Sequence, residues 1–247
     1  MRTAANTPGK PATVNSATAA GLDHLVVLAS SLAEGVAWCE ATLGVTPGPG
    51  GEHPLMGTHN RLMRIDTVTF PQAYLEIIAI NPATTKASTR LGARWFDMDA
   101  PALHERVARD GPRLMHWVAR VTDVRAAVRA LTAQGIDRGA VIAASRPTPA
   151  GLLQWQITVR DDGQRLLDGC LPTLIQWGDT HPAATMADSG LKLLSLDLQH
   201  PQATRLRSAC EAVGLHTQAH AGFTVTQGAA TLTATLQTPK GVVQLSS

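Results

Sequence analysis

Four apolar segments of this chain each place, on one face of the strand they would form, one polar residue of a type that binds metal ions. They are His24 in Leu22–Leu28, Glu76 in Ala73–Ile80, His116 in Arg113–Val121 and Gln176 in Leu171–Trp177. A carboxylate in the middle of YLEIIAI is costly to bury unless it is paired, hydrogen-bonded or ligated. Histidine nitrogen with carboxylate oxygen suits a divalent ion such as Zn, Mn, Ni or Fe, and two His with one Glu match the composition of a facial triad. Such a centre leaves positions open for substrate, and a carboxylate beside it can take a proton, which makes Glu76 the candidate catalytic base. Taken one at a time these residues have plainer readings: a lone strand histidine is satisfied by hydrogen bonds in a core, and a lone strand Glu faces solvent.

Weaker candidates surround the four. His59 and Asn60 in GTHN and Arg146 in SRPTPAGLLQW are candidate substrate contacts, with turn and cap roles as the alternative. His53 in GEHP reads as a loop residue and His181 as a solvated linker residue. Trp117, Trp155 and Trp177 read as core.

The elements that must position these side chains form a repeat. Gly21–Gly44 (GLDHLVVLASSLAEGVAWCEATLG) and Arg113–Gly135 (RLMHWVARVTDVRAAVRALTAQG) align with His24 on His116, Val26 on Val118 and Val36 on Val128. Each copy is a short apolar strand with one histidine, then an amphipathic helix, which points to a site shared by two similar modules. Strict alternation along the strands groups Leu22 with His24, Val26 and Leu28, and Tyr74 with Glu76 and Ile78. Further strands are expected at Thr58–Val68, Val141–Ser145 and Leu152–Val159. Thr46–Gly57, with its three prolines, reads as a loop. Residues 81–112 read as a connector, helical or irregular at Asn81–Lys86 and helical at Pro101–Asp110. A last β-α-β-β pattern spans 190–247. The predicted class is α+β: module one at 21–80, module two at 113–182, and a C-terminal βαββ segment.

Composition narrows the function classes. The chain has 247 residues, 44% hydrophobic and 16% charged, with net charge +2 and no Lys/Arg run, which disfavours nucleic acid and anionic membrane as partners. No apolar stretch is long enough to span a bilayer. Three scattered cysteines, Cys39, Cys170 and Cys210, imply no disulfide framework and fit a reducing cytoplasm. Residues 1–20 read as a flexible polar tail.

The segments LDHLVV with its helix, the Gly50–Asn60 loop, YLEIIAI, SRPTPAGLLQW and LIQWGDTHP together resemble the glyoxalase-like domain proteins of the vicinal oxygen chelate superfamily. The resemblance implies paired βαβββ modules forming a curved mixed sheet around a cleft. It implies metal ligands on the first and last strands of each module, at His24, Glu76, His116 and Gln176. Gln176 stands where an acid is usual, so a three-ligand site of His24, Glu76 and His116 is the alternative. The implied function is a metal-dependent lyase or isomerase acting on a small oxygenated substrate. A metal-free small-ligand binder and an Fe(II) ring-cleaving dioxygenase are the rivals. Pairing of modules between chains, as a homodimer, is also implied as a possibility.

Overall fold

The two sequence copies fold into two modules of the same topology in the computed structural model, which describes residues 20–84, 92–149, 151–217 and 222–247. Module one is β1 (Gly21–Leu28), α1 (Leu32–Thr42), β2 (Glu52–His53), β3 (Thr58–Arg64) and β4 (Tyr74–Ile80). After α2 (Pro101–Asp110), module two is β5 (Arg113–Arg120), α3 (Val124–Thr132), β6 (Ala140–Thr148), β7 (Gly151–Val159) and β8 (Thr173–Trp177). The repeat extends to the helix caps. Ser31 and Asp123, equally far beyond His24 and His116, accept hydrogen bonds from the backbone N–H groups of Glu34 and Ala126.

All eight strands join one sheet in the order β2-β3-β4-β1-β5-β8-β7-β6. β1 and β5 lie antiparallel at its centre, with His24 opposite Val118 and Val26 opposite His116. Within each module the first strand runs parallel to the last, β1 with β4 and β5 with β8. The sheet curls until its edge strands β2 and β6 wall the same cavity. Its inner face carries Val26, Leu28, Ile78, Val118, Ile157 and Ile175, and the connector packs Trp95, Phe96 and Met98 against them. Its outer face carries Leu25, Val27, Leu75, Ile77 and Trp117 under α1 and α3.

The C-terminal segment is β9 (Lys192–His200), α4 (Ala203–Ala212), β10 (Phe223–Gln227), β11 (Thr231–Thr238) and β12 (Gly241–Ser246). It makes a second, four-stranded sheet, β10-β9-β11-β12, and does not extend the first. That sheet shares the outer core: Phe223 packs edge-on to Trp117 with ring centroids 5.3 Å apart, and the Leu193 N–H donates to the Ile65 carbonyl at 2.8 Å.

The expected elements are present, with local differences. β2 lies inside the stretch read as a loop, because two residues suffice to add an edge strand onto β3. Residues 81–84 form a turn, and Ala87–Leu91, Lys86 and Thr85 lie outside the described residues, as does the tail to Ala19. No helix among the described residues is long and apolar enough to cross a membrane.

Gly35 lets α1 approach the sheet. A Cβ there would stand 2.4 Å from Ile77 Cγ2 and 3.2 Å from Ala29 Cβ. Gly35→Val is therefore expected to destabilise the fold by about 2 kcal/mol through overpacking, read as a lower urea midpoint with unchanged slope.

Candidate functional site

A bulge in β1 builds the centre of the site. The pairing with β5 steps from Leu22/Ala119 to His24/Val118, so Asp23 is the extra residue. Alternation breaks there: Leu22 joins the outer core with Leu25 and Val27, while Val26 and Leu28 stay inside. Strict alternation placed Leu22 beside His24; the bulge puts Asp23 there instead.

The Asp23 carboxylate is completely buried and takes three hydrogen bonds from side chains. Its Oδ1 accepts from His24 Nδ1 at 2.7 Å, and its Oδ2 accepts from Trp177 Nε1 at 2.8 Å and His181 Nε2 at 3.0 Å. His181 Nδ1 accepts the Ala183 N–H, so the proton on His181 sits at Nε2. Burial by itself would raise the Asp23 carboxyl, but the bonds from His181 and His24 outweigh it and hold the group well below the usual carboxylate range. His181, expected to be solvated, is only 8% exposed because it is one of these donors.

Glu76 faces this group from β4. Tyr74, on the same side of that strand, stacks on the His24 ring with centroids 4.6 Å apart. Glu76 Oε1 accepts from Asn60 Nδ2 at 2.6 Å, and Oε2 lies 3.6 Å from His24 Nε2. Asn60 is oriented by its other end, where Oδ1 accepts the Gly51 N–H at 2.8 Å. His53 in β2 lies beside Asn60, with Nε2 3.4 Å from Asn60 Nδ2 and Nδ1 3.1 Å from Thr58 Oγ1. Burial pushes the His53 imidazole down to about 4, so it is neutral at pH 7.

Arg146 reaches in from β6 on the other side of the cleft. A Cβ at Gly51 would fall 1.8 Å from Arg146 Nη1, so the guanidinium packs directly on the glycine that precedes β2. That Nη1 is buried and has no hydrogen-bond partner. Together with His24, Asn60, Glu76 and Trp177 it lines a cavity of about 40 Å³.

The remaining sequence candidates lie elsewhere. His116 is fully buried with both ring nitrogens engaged: Nδ1 donates to the Gly169 carbonyl at 3.0 Å, and Nε2 accepts from Thr173. Phe96 covers its ring at 5.0 Å, and burial holds the imidazole well below its usual range. Gln176 is on the outer side of β8, where its Oε1 accepts the Val124 N–H at the start of α3. His59 alternates with Asn60 along β3 and so lies on the opposite face. Only His24 and Glu76 of the four expected ligands therefore meet. Among the described residues no three His, Cys, Asp or Glu side chains group closely enough to hold a metal ion. The donor set does not fit a three- or four-ligand centre.

Comparison with known proteins agrees with the topology. A family profile described as the glyoxalase-like domain matches residues 22–214. The chain belongs to the glyoxalase-like domain family. A hypothetical protein from Staphylococcus aureus of known crystal structure matches this glyoxalase-like protein at TM-score 0.54 and 13% identity, covering 91% of this chain and 85% of its own. Methylmalonyl-CoA epimerase from Mycobacterium tuberculosis matches at TM-score 0.35 and 17% identity, covering 64% of this chain and 86% of its own. No curated protein matches the chain.

His53 and Trp95 in the walls of this glyoxalase-like site, and Asp23 and His181 behind them, had no signal in periodicity. Asp23 next to His24 in LDHLVV was the available clue, since two adjacent polar residues in an apolar strand require a bulge if both are to face one side.

Neutral His53 links the site to stability. Its folded value, about 4, is below the ordinary 6.5, so the unfolded chain binds the proton first as pH falls. This stabilisation is complete above pH 6.5 and is lost between 6.5 and about 4. On the order of 3 kcal/mol should disappear over that window. Urea unfolding at pH 7 and pH 4.5 should show a smaller drop in His53→Gln than in the wild type; equal drops would contradict the assignment.

Proposed function

We propose that this glyoxalase-like protein binds a small 2-oxo carboxylic acid between its two modules without a metal ion, and exchanges a proton with it through Glu76. The observation that carries this reading is the buried, unpartnered Nη1 of Arg146 in the wall of the cavity that Glu76 lines. A buried donor of a guanidinium is costly to leave unmade, and a carboxylate is its natural partner. Asn60 Nδ2 and His24 Nε2 supply polar contacts for a second oxygen on the neighbouring carbon.

In this reading Arg146 holds the carboxylate of the ligand. Glu76, kept in place by Asn60, takes a proton from the carbon next to the ketone. His24 in its imidazolium form, its Nδ1–H held by the Asp23 carboxylate in the manner of an acid–histidine pair, gives its Nε2 proton to the ketone oxygen and is left as the Nδ1–H tautomer, and the product is the enol. The shortage of donors around His24 and Glu76 is what favours this over the metal-dependent lyase, isomerase or ring-cleaving alternatives. His59, Gln176 and His116 take no part in it.

Calorimetric titration with pyruvate and its methyl ester, on protein treated with a chelator, tests the binding step. Pyruvate should bind, the ester should bind at least about tenfold more weakly, and Arg146→Met should cost about 10- to 100-fold. Exchange of the pyruvate methyl hydrogens in D₂O, followed by NMR, should slow by about 100-fold or more in Glu76→Gln. Equal binding of acid and ester, or binding that vanishes with the chelator, would overturn the reading.

A further inference from the structure

The cavity at Arg146 and Glu76 is narrow, with room for the head of a ligand and not for a long chain. Its volume is about 40 Å³. Beside it lies a second cavity of about 390 Å³, within the range of small-molecule sites. The two share His53, Trp95, Trp155 and Ile157 as walls. The large cavity is bounded on one side by Glu52–Met56 and on the other by Val141–Ser145, the two edges of the curled sheet.

Strand β6 connects the two spaces. Register with β7 sets Ile142 opposite Ile157, Ala144 opposite Trp155 and Arg146 opposite Leu153, all on the inner face. Alternate residues on one face lie about 6.7 Å apart, so Arg146 and Ile142 are separated by about 13 Å along the strand. Read outward from the small cavity, this face is cationic, then small, then apolar. Ala144 is the low point between the guanidinium and the large cavity.

Trp95 is the partition. It is 8% exposed, its indole N–H is buried without a partner, and it stacks on Phe96 at 4.9 Å. The next two residues, Phe96 and Asp97, hold φ of 61° and 59°, the left-handed region that non-glycine residues rarely adopt. Strained backbone and an unsatisfied donor at the wall between two cavities mark a side chain that a ligand would engage.

We propose that the cavity between β2 and β6 is a subsite for an unbranched apolar chain whose acid head sits at Arg146, so that the ligand is an amphipathic 2-oxo acid of medium length. The chain runs from Arg146 over Ala144 toward Ile142, along Trp155 and past Trp95. This rests on the assignment of Arg146 as the carboxylate anchor.

Titration of wild-type protein with pyruvate, 2-oxobutanoate, 2-oxohexanoate, 2-oxooctanoate and 2-oxodecanoate, beside the unbranched alcohols of matching length, separates the two ideas. Affinity for the acids should rise about fourfold per methylene until the cavity is full, and Ala144→Trp should abolish that rise. Trp fluorescence should change with the longer acids, and the change should diminish in Trp95→Phe. Pyruvate binding with no gain for longer acids would overturn the chain subsite and leave the anchor standing. Alcohols gaining with length as steeply as the acids, and binding as tightly, would overturn the anchor and the acid-headed ligand with it.

Discussion

One buried carboxylate organises this site. Asp23 has no exposed surface, and an isolated charge in that position would cost several kcal/mol. Three donors from three places in the chain, His24, Trp177 and His181, meet that cost. The requirement runs outward. Satisfying Asp23 fixes the tilt of the His24 ring, ties the end of β8 to the start of β1 across the module boundary, and anchors the segment after β8. His24 then presents Nε2 to Glu76, and Glu76 in turn depends on Asn60 and the Gly51 N–H. The chain of bonds reaches from the centre of the sheet to its edge at β2, where Arg146 arrives from the opposite edge.

The two modules show how a doubled fold can carry a single site. His24 and His116 occupy equivalent places on the paired central strands. Around His24 the bulge supplies a carboxylate and the neighbouring strand supplies another. Around His116 the corresponding partners are a backbone carbonyl and Thr173, which satisfy both nitrogens and leave nothing for a ligand. Phe96 of the connector then closes over it. The inner face of the sheet is thus divided, with chemistry in the first module's half and apolar filling in the second's, and Arg146 is the second module's contribution to the cleft.

Much of the fold was legible in the sequence because it rests on periodicity and repetition. The matched strand–helix copies and the inner grouping of Tyr74, Glu76 and Ile78 follow from spacing. The site was legible in part, since His24, Glu76, Asn60 and Arg146 come together around one cavity. His116, Gln176 and His59 do not join them: Gly169, Thr173 and Phe96 enclose His116, and the other two face away. A bulge at Asp23 shifts faces within β1; Gln176 lies on the helix-covered side of β8; His59 is one residue out of phase with Asn60. His181 and His53 looked like loop residues because their burial comes from contacts distant in sequence. Trp95 sits in a connector without periodicity, and its place inside the cleft is set by the connector path alone.

The Asp23 carboxylate fixes the histidine protons of the site. Long-range ¹H–¹⁵N NMR correlations of the imidazole rings at pH 7 read those protons directly. They should show a proton on Nδ1 of His24 and the Nε2–H tautomer at His181, each held in slow exchange by its bond to Asp23. A neutral His24 carrying its proton on Nε2, or a His181 protonated on Nδ1 alone, would contradict it.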